Sequence, residues 1–232
     1  MDEILVCSNL VKSYHGTPAL NSINLSIPKG RVVGLLGPNG SGKTTLIKLV
    51  MGMLTPDSGE IQVDGVNVGA ETKGFVAYLP DKNFLPQGKK ITEILDFYCD
   101  FFADFRRDKA EQMLSNLGIQ PNQVIKTLSK GNQEKVGLIL TMSREARLYL
   151  LDEPIAGVDP ATRDYILNTI ITNYSENATV LISTHLISDV EPVLSDVIFI
   201  NKGDIILFEG ADELREQKGM SIDMLFREMF KC

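Results

Sequence analysis

The chain is poor in the residues that small domains use as covalent or metal staples. Its three cysteines, Cys7, Cys99 and Cys232, are odd in number, far apart and free of any CxxC pairing. That pattern excludes a disulfide framework and a zinc site and points to a reducing compartment. Histidine is scarcer still, with only His15 and His185. No apolar run nears the roughly 18 residues a bilayer-spanning helix needs, and the opening MDEILVCSNL is acidic where a secretory signal is basic. The chain is therefore expected to be soluble and cytoplasmic. Cations are short as well: 23 Lys and Arg stand against 30 Asp and Glu, for a net charge of −7. Affinity for nucleic acid rests on clustered Lys and Arg neutralising phosphates, so no nucleic acid is expected as the main partner. Internal repeats and low-complexity tracts are also missing. What is present, 232 residues with 44% apolar content, suits one large domain or a core with an inserted subdomain.

The opening third alternates like paired strands, at Ile4 to Leu10, Ile23 to Ile27 and Ile61 to Val68, which predicts an antiparallel sheet. Gly74 to Pro80 reads as a further strand stopped by its proline. Between about residues 88 and 145 the β signal vanishes. Ile91, Ile94, Leu95, Tyr98, Phe101 and Phe102 recur there at helical spacing, followed by Ala110, Met113, Leu114 and Leu117 ending at Gly118. Strand and helix then alternate: Leu148 to Leu151, a helix after Asp159-Pro160, Thr179 to Ser183, a helix from about Leu186, then Val197 to Ile200 and Ile205 to Phe208. Such alternation predicts a parallel sheet covered by helices. Ser221 to Phe230 reads as a short amphipathic helix.

Gly37-Pro38-Asn39-Gly40-Ser41-Gly42-Lys43-Thr44-Thr45 lies between an apolar strand, Val32 to Leu36, and the start of a helix at Leu46 to Val50. The spacing and its context are those of a phosphate-binding P-loop. Glycines let backbone N–H groups close around a polyphosphate, and the helix tip adds its unpaired donors to the same anion. Lys43 supplies a full charge to the β- and γ-phosphates, and the Thr44 hydroxyl is a ligand for Mg²⁺. Further on, the strand Leu148 to Leu151 ends in Asp152 and Glu153. In open α/β sheets the carboxyl ends of strands face the ligand. Asp152 is placed to hold Mg²⁺ and Glu153 to orient and deprotonate an attacking water; the other reading is a pair of helix-capping acids beside Pro154.

With these residues the chain resembles, nearly end to end, the ATP-binding subunit of ATP-binding cassette (ABC) transporters. The specific match is Leu128-Ser129-Lys130-Gly131-Asn132, which stands where the family carries its LSGGQ signature. Ser129 can cap the helix that follows, so this is a second helix tip able to meet an anion, or simply an ordinary capped helix. The resemblance implies an α/β fold: a P-loop NTPase core of RecA-like type with an N-terminal antiparallel β subdomain and an inserted α-helical subdomain. Residues 1–87 and 146–232 would form the core and 88–145 the helical part of a single ATP-binding domain. It further implies ATP and Mg²⁺ as cofactors and a separate transmembrane permease as partner. A head-to-tail homodimer or heterodimer is also implied, in which the signature of one subunit closes over the ATP of the other. The protein would then sit peripherally at the inner face of the cell membrane.

Other positions match one at a time. Tyr14 stands where similar proteins stack an aromatic on adenine, though it also reads as an ordinary strand aromatic. His185 stands at the switch histidine that contacts the γ-phosphate, and Asp159 at the D-loop aspartate of the dimer interface or at a plain helix start. Four positions depart from the pattern. Asp81 replaces the Q-loop glutamine, keeping a metal-seeking oxygen but losing reach and the amide donor; Gln87, in a second Leu-Pro-Gln triplet, competes for that place. Lys130 and Asn132 replace glycine and glutamine of the signature, and Ala156 replaces the D-loop serine. The expected catalytic set is Glu153, His185 and Lys43. Most of the aromatics Phe84, Phe97, Tyr98, Phe101, Phe102 and Phe105 are expected in the helical core, with a minority facing a partner. The implied function is ATP hydrolysis that powers transport, leaning to export. The rivals are a soluble ABC-type ATPase acting on nucleic acid or ribosomes, and a small P-loop kinase.

Overall fold

The computed structural model describes residues 2–175 and 177–230. Cys232 lies outside the described residues, while Cys7 is buried and Cys99 exposed, both as free thiols. In chain order the elements are β1 (Glu3–Tyr14), β2 (Thr17–Pro28), β3 (Val32–Leu36), α1 (Lys43–Val50), β4 (Ser58–Val63), β5 (Val66–Asn67) and β6 (Val76–Leu79). Then come α2 (Ile91–Phe101), α3 (Arg107–Asn116), α4 (Lys130–Met142), β7 (Leu148–Asp152), α5 (Pro160–Asn173), β8 (Thr179–Thr184) and α6 (Ile187–Val190). The chain closes with β9 (Asp196–Asn201), β10 (Asp204–Gly210), α7 (Ala211–Lys218) and α8 (Ile222–Phe230).

Two sheets organise these elements. The first is antiparallel, in the order β2-β1-β4-β5, and the second runs β10-β9-β3-β8-β7-β6. Every pairing in the second sheet is parallel except that of β10 with β9. Strands β3, β7 and β8 are buried along their whole length. They are covered on both faces, so their sequences are continuous apolar runs instead of alternations. On one face Leu36, Tyr149, Leu151, Ile182 and Phe199 pack against α4, α5, α7 and α8. On the other face Val33, Leu35, Leu148, Leu150 and Leu181 pack against α1 and the antiparallel sheet. Each fully buried Leu or Ile there contributes about 1.5–3 kcal/mol of transfer free energy.

No described residue between Leu79 and Leu148 belongs to either sheet. Helices α2, α3 and α4 pack there around Ile94, Leu95, Ala110, Leu114, Val136 and Ile139. Buried Arg144 fastens this helical layer to the sheet: it pairs with Asp104, stacks 4.0 Å from the Phe102 ring centroid, and donates to the carbonyls of Lys73, Gly74 and Val76.

Three local expectations change. Ile61 to Val68 is not one strand, because Asp64 and Gly65 both take positive φ, 51° and 75°, and turn the chain so that Val66 pairs back on Val63. The helix after Leu186 lasts only from Ile187 to Val190, since Pro192 follows in a 3-10 turn. Of the six aromatics between Phe84 and Phe105, half belong to the helical core, with Tyr98 and Phe102 packed against it beside Phe105. Only Phe105 of the six is buried, whereas Phe84, Phe97 and Phe101 are 39%, 56% and 70% exposed. At helical spacing Phe97 and Phe101 lie one turn apart and stack on each other in solvent.

Candidate functional site

The carboxyl ends of β3, β7 and β8 lie side by side, because β3 pairs with β8 and β8 with β7 in parallel register. The loop Gly37 to Gly42 leaves β3 there, and two of its glycines are demanded by space. A Cβ on Gly37 would lie 2.3 Å from the Ile200 carbonyl oxygen, and one on Gly42 would lie 2.7 Å from that of Ala19. Gly42 also takes φ 114° as the residue before α1. Helix α1 has no side-chain cap and no acidic residue in its first turn. Its first N–H groups are therefore left for an anion to satisfy.

Lys43 is 6% exposed. Its ammonium donates to the carbonyls of Gly37 at 2.8 Å and Pro38 at 3.3 Å and lies 3.6 Å from the Glu153 carboxylate. Burial lowers its pKa and the charge on Glu153 opposes that shift. Asp152 is fully buried. Its Oδ1 accepts from the Thr44 hydroxyl at 3.1 Å and from the Ser183 hydroxyl, while Oδ2 has no hydrogen-bond partner. Burial raises the pKa of this carboxyl, the two hydroxyls pull it back, and Asp81 and Glu153 add their charges to the upward shift. A hard cation with oxygen ligands fits this arrangement, since it would satisfy the orphaned oxygen beside Thr44.

Glu153 sits at φ 50°, a conformation that costs a side chain roughly 1–3 kcal/mol and is held only where the surroundings enforce it. The backbone N–H of Glu153 donates to Ser183, to the carbonyl at 2.9 Å and the hydroxyl at 3.2 Å. Its carboxylate is strung between Lys43 and His185, whose Nδ1 is 2.9 Å away. Ser183 thus bonds both acids, a role the sequence reading missed. Its signal was a hydroxyl at the end of an otherwise apolar buried strand.

A cleft of about 430 Å³ gathers Tyr14, Asn39 through Thr45, Asp81 and Glu153. Adenine-stacking, phosphate-binding and carboxylate candidates, distant in sequence, therefore share one space. Gln87 does not line it; its amide instead bonds the Leu85 carbonyl and Gln133 on α4. Ser129, Lys130, Gly131 and Asp159 are not in this cleft either. Ser129 caps α4 by accepting from the Asn132 N–H at 3.3 Å, and both Ser129 and Lys130 are exposed. Asp159 caps α5 through the Thr162 N–H and hydroxyl, at 3.0 and 2.6 Å. The second tip and the start of α5 abut, for a Cβ on Gly131 would lie 3.2 Å from the Thr162 hydroxyl and 3.6 Å from the Asp159 carboxylate. Among the described residues no group of three His, Cys, Asp or Glu could hold a metal alone.

Known proteins share this sequence pattern and fold. The family model described as ABC transporter matches residues 20–156. The ABC transporter ATP-binding protein YtrB of Bacillus subtilis (strain 168) is 30% identical over 220 residues, covering 94% of this chain and 75% of that protein. The SkfA peptide export ATP-binding protein SkfE of the same organism is 30% identical over 210 residues, covering 88% of each. Among solved structures, that of an ATP-binding subunit of an ABC transporter superposes with a TM-score of 0.87 at 26% identity, covering 98% of this chain and 99% of the other. The α/β core is thus a P-loop NTPase core carrying an antiparallel β layer and helices, and the chain belongs to the ABC transporter family as one of its ATP-hydrolysing ATP-binding cassettes.

Proposed function

We propose that this cassette couples ATP-driven closure of a head-to-tail dimer to a separate membrane permease, in the export direction. The observation that carries the reading is the presence of two capped or open helix tips, of which only one lines the cleft with Tyr14 and Glu153. A second tip exposed at Ser129 and Lys130 is of use to a nucleotide held by another subunit. The acidic D-loop residue Asp159 sits beside it on the same face.

Within the cleft the backbone donors at Gly40 to Thr45 and the Lys43 ammonium bind and orient the phosphates. Thr44 and the free oxygen of Asp152 are the residues that would hold Mg²⁺, with Asp81 nearby; the ion, when bound, neutralises charge on the phosphate oxygens. Glu153, poised at positive φ and tied to His185, orients the attacking water and accepts its proton, while His185 senses the terminal phosphate. Ser129, Lys130 and Gly131 of the facing subunit complete the set of donors.

Residues 88–145 act in this reading as the helical subdomain that meets the permease. Beside it, exposed Met53, Phe84 and Phe101 line an apolar groove that also includes Asp81, and Phe84 and Phe97 line a second groove. No helix among the described residues is long and apolar enough to cross a membrane, so attachment to the inner face of the membrane would come through the permease. The similarity to SkfE, a peptide export ATP-binding protein, supports the direction. Glu153→Gln should keep ATP binding, reduce hydrolysis by roughly a hundredfold or more, and trap an ATP-bound dimer in size-exclusion chromatography. Hydrolysis at the native rate by that variant would remove Glu153 as the base.

A further inference from the structure

We infer that Asp57 is a positioning residue for the adenine platform, holding Tyr14 at a set distance from the phosphate loop; this rests on the nucleotide-binding reading above. Tyr14 ends β1 and is 42% exposed beside the cleft. The β1–β2 ladder pairs Tyr14 with Thr17 but is irregular on the way, with register shifts on both sides of Lys12, and His15 and Gly16 then turn at φ 49° and 81°. A third segment supplies the grip. Asp57 donates its N–H to the Val11 carbonyl at 2.9 Å, and its Oδ2 accepts the Ser13 N–H at 2.7 Å. Its Oδ1 accepts from the Lys12 ammonium at 2.8 Å, which also donates to the Thr55 carbonyl at 2.9 Å and lies over the Tyr14 ring, 5.9 Å from its centroid. Residues 11 to 13 are thereby clamped, and one face of the ring is backed by a cation whose side chain is 16% exposed.

The other end of the clamp is the phosphate helix itself. After α1 the chain turns at Gly52, φ 63°, and the N–H of Met53 bonds back to the Lys48 carbonyl at 2.9 Å, so Thr55 to Asp57 leave from a fixed point on α1. The element that binds phosphate at its start grips the adenine strand from its exit. Asp57 does not line the cleft, so it acts on the base only through Tyr14. Preorganising an aromatic face for a flat ligand lowers the ordering cost at binding and leaves the phosphate contacts alone.

The test is calorimetry of ATP and inorganic tripolyphosphate in Mg²⁺-free buffer on the native chain, Asp57→Ala, Tyr14→Ala and the double variant. Asp57 is exposed, and melting curves check that the fold is kept. Asp57→Ala should weaken ATP by about threefold to tenfold, leave tripolyphosphate unchanged, and add nothing to Tyr14→Ala. In Mg²⁺ turnover assays KM should rise by the same factor with kcat unchanged. Asp57→Asn, which keeps an acceptor for the Ser13 N–H, should recover part of the loss. Native ATP affinity in Asp57→Ala, or an equal loss for tripolyphosphate, overturns the role of Asp57. Equal native affinity for ATP and tripolyphosphate would instead remove the adenine role of Tyr14, and this inference with it, while leaving the phosphate loop untouched.

Discussion

At the scale of single residues the site stores unfavourable terms that ligands are expected to relieve. Asp152 is the clearest, a buried carboxylate with one oxygen unpaired. Its raised pKa means that the native chain holds a proton more readily than the unfolded one does. The stability this adds is complete below the ordinary carboxylate pKa and is lost as pH rises through the raised native value. Near neutral pH the charged group is therefore a cost in the nucleotide-free protein. Asp152→Asn should raise unfolding stability by about 1 kcal/mol at neutral pH, with the gap narrowing in acid and ATP turnover lost. Urea unfolding of both chains across pH checks this, and a less stable variant at neutral pH would contradict it. Lys43, Thr44, Asp152 and Glu153 were legible in the sequence because their spacing is set locally by a strand, a turn and a helix start. Ser183 was not legible, since its two bonds to the acids depend on β8 lying beside β7.

At the scale of elements the two sheets are joined by an ion cluster at a hairpin turn. Asp64, between β4 and β5, pairs with Lys29 and with Arg147 just before β7, each at 2.6 Å. Lys29 foremost, with Arg147 after it, holds the Asp64 carboxyl below its usual pKa. Asp64 also takes φ 51°, which asparagine tolerates as well as aspartate does, so Asp64→Asn isolates the charge. The loss should be about 0.5–1 kcal/mol near neutral pH, given partly solvated partners. Because the native pKa is depressed, the difference should hold above the ordinary carboxylate value and disappear as pH falls through the lower native one. A gap that persists in acid would assign the effect to backbone shape. Strand positions and the helical stretch after residue 88 were readable from period alone. The exposure of Phe97 and Phe101 was not, because hydropathy records what a side chain prefers and not which face of α2 its neighbours leave uncovered.

At the scale of the whole molecule, the separation of the two helix tips gives a prediction that a monomeric enzyme cannot satisfy. Lys43→Ala and Ser129→Arg chains should each be inactive alone. Mixed in equal amounts with ATP, half the dimers would pair one of each and contain one intact site, restoring about a quarter of native activity. An inactive mixture of well-folded chains would argue against sites shared across subunits. Read alone, the sequence determined the strand, glycine loop and helix start around Lys43, the adjacent acids Asp152 and Glu153 at the end of β7, the β and helical organisation and the kinship that the comparisons bear out. Those signals are local, carried by glycine geometry, helix caps and the period of apolar residues. Only the tertiary structure decided that Tyr14 shares a cleft with Lys43 and Glu153, that Gln87 turns to α4 while Asp81 lines that cleft, and that Asp57 ties the segment after α1 to the end of β1. Those facts rest on contacts between segments far apart in the chain, which are set by how the sheets and helices pack and leave no periodic mark in the order of residues.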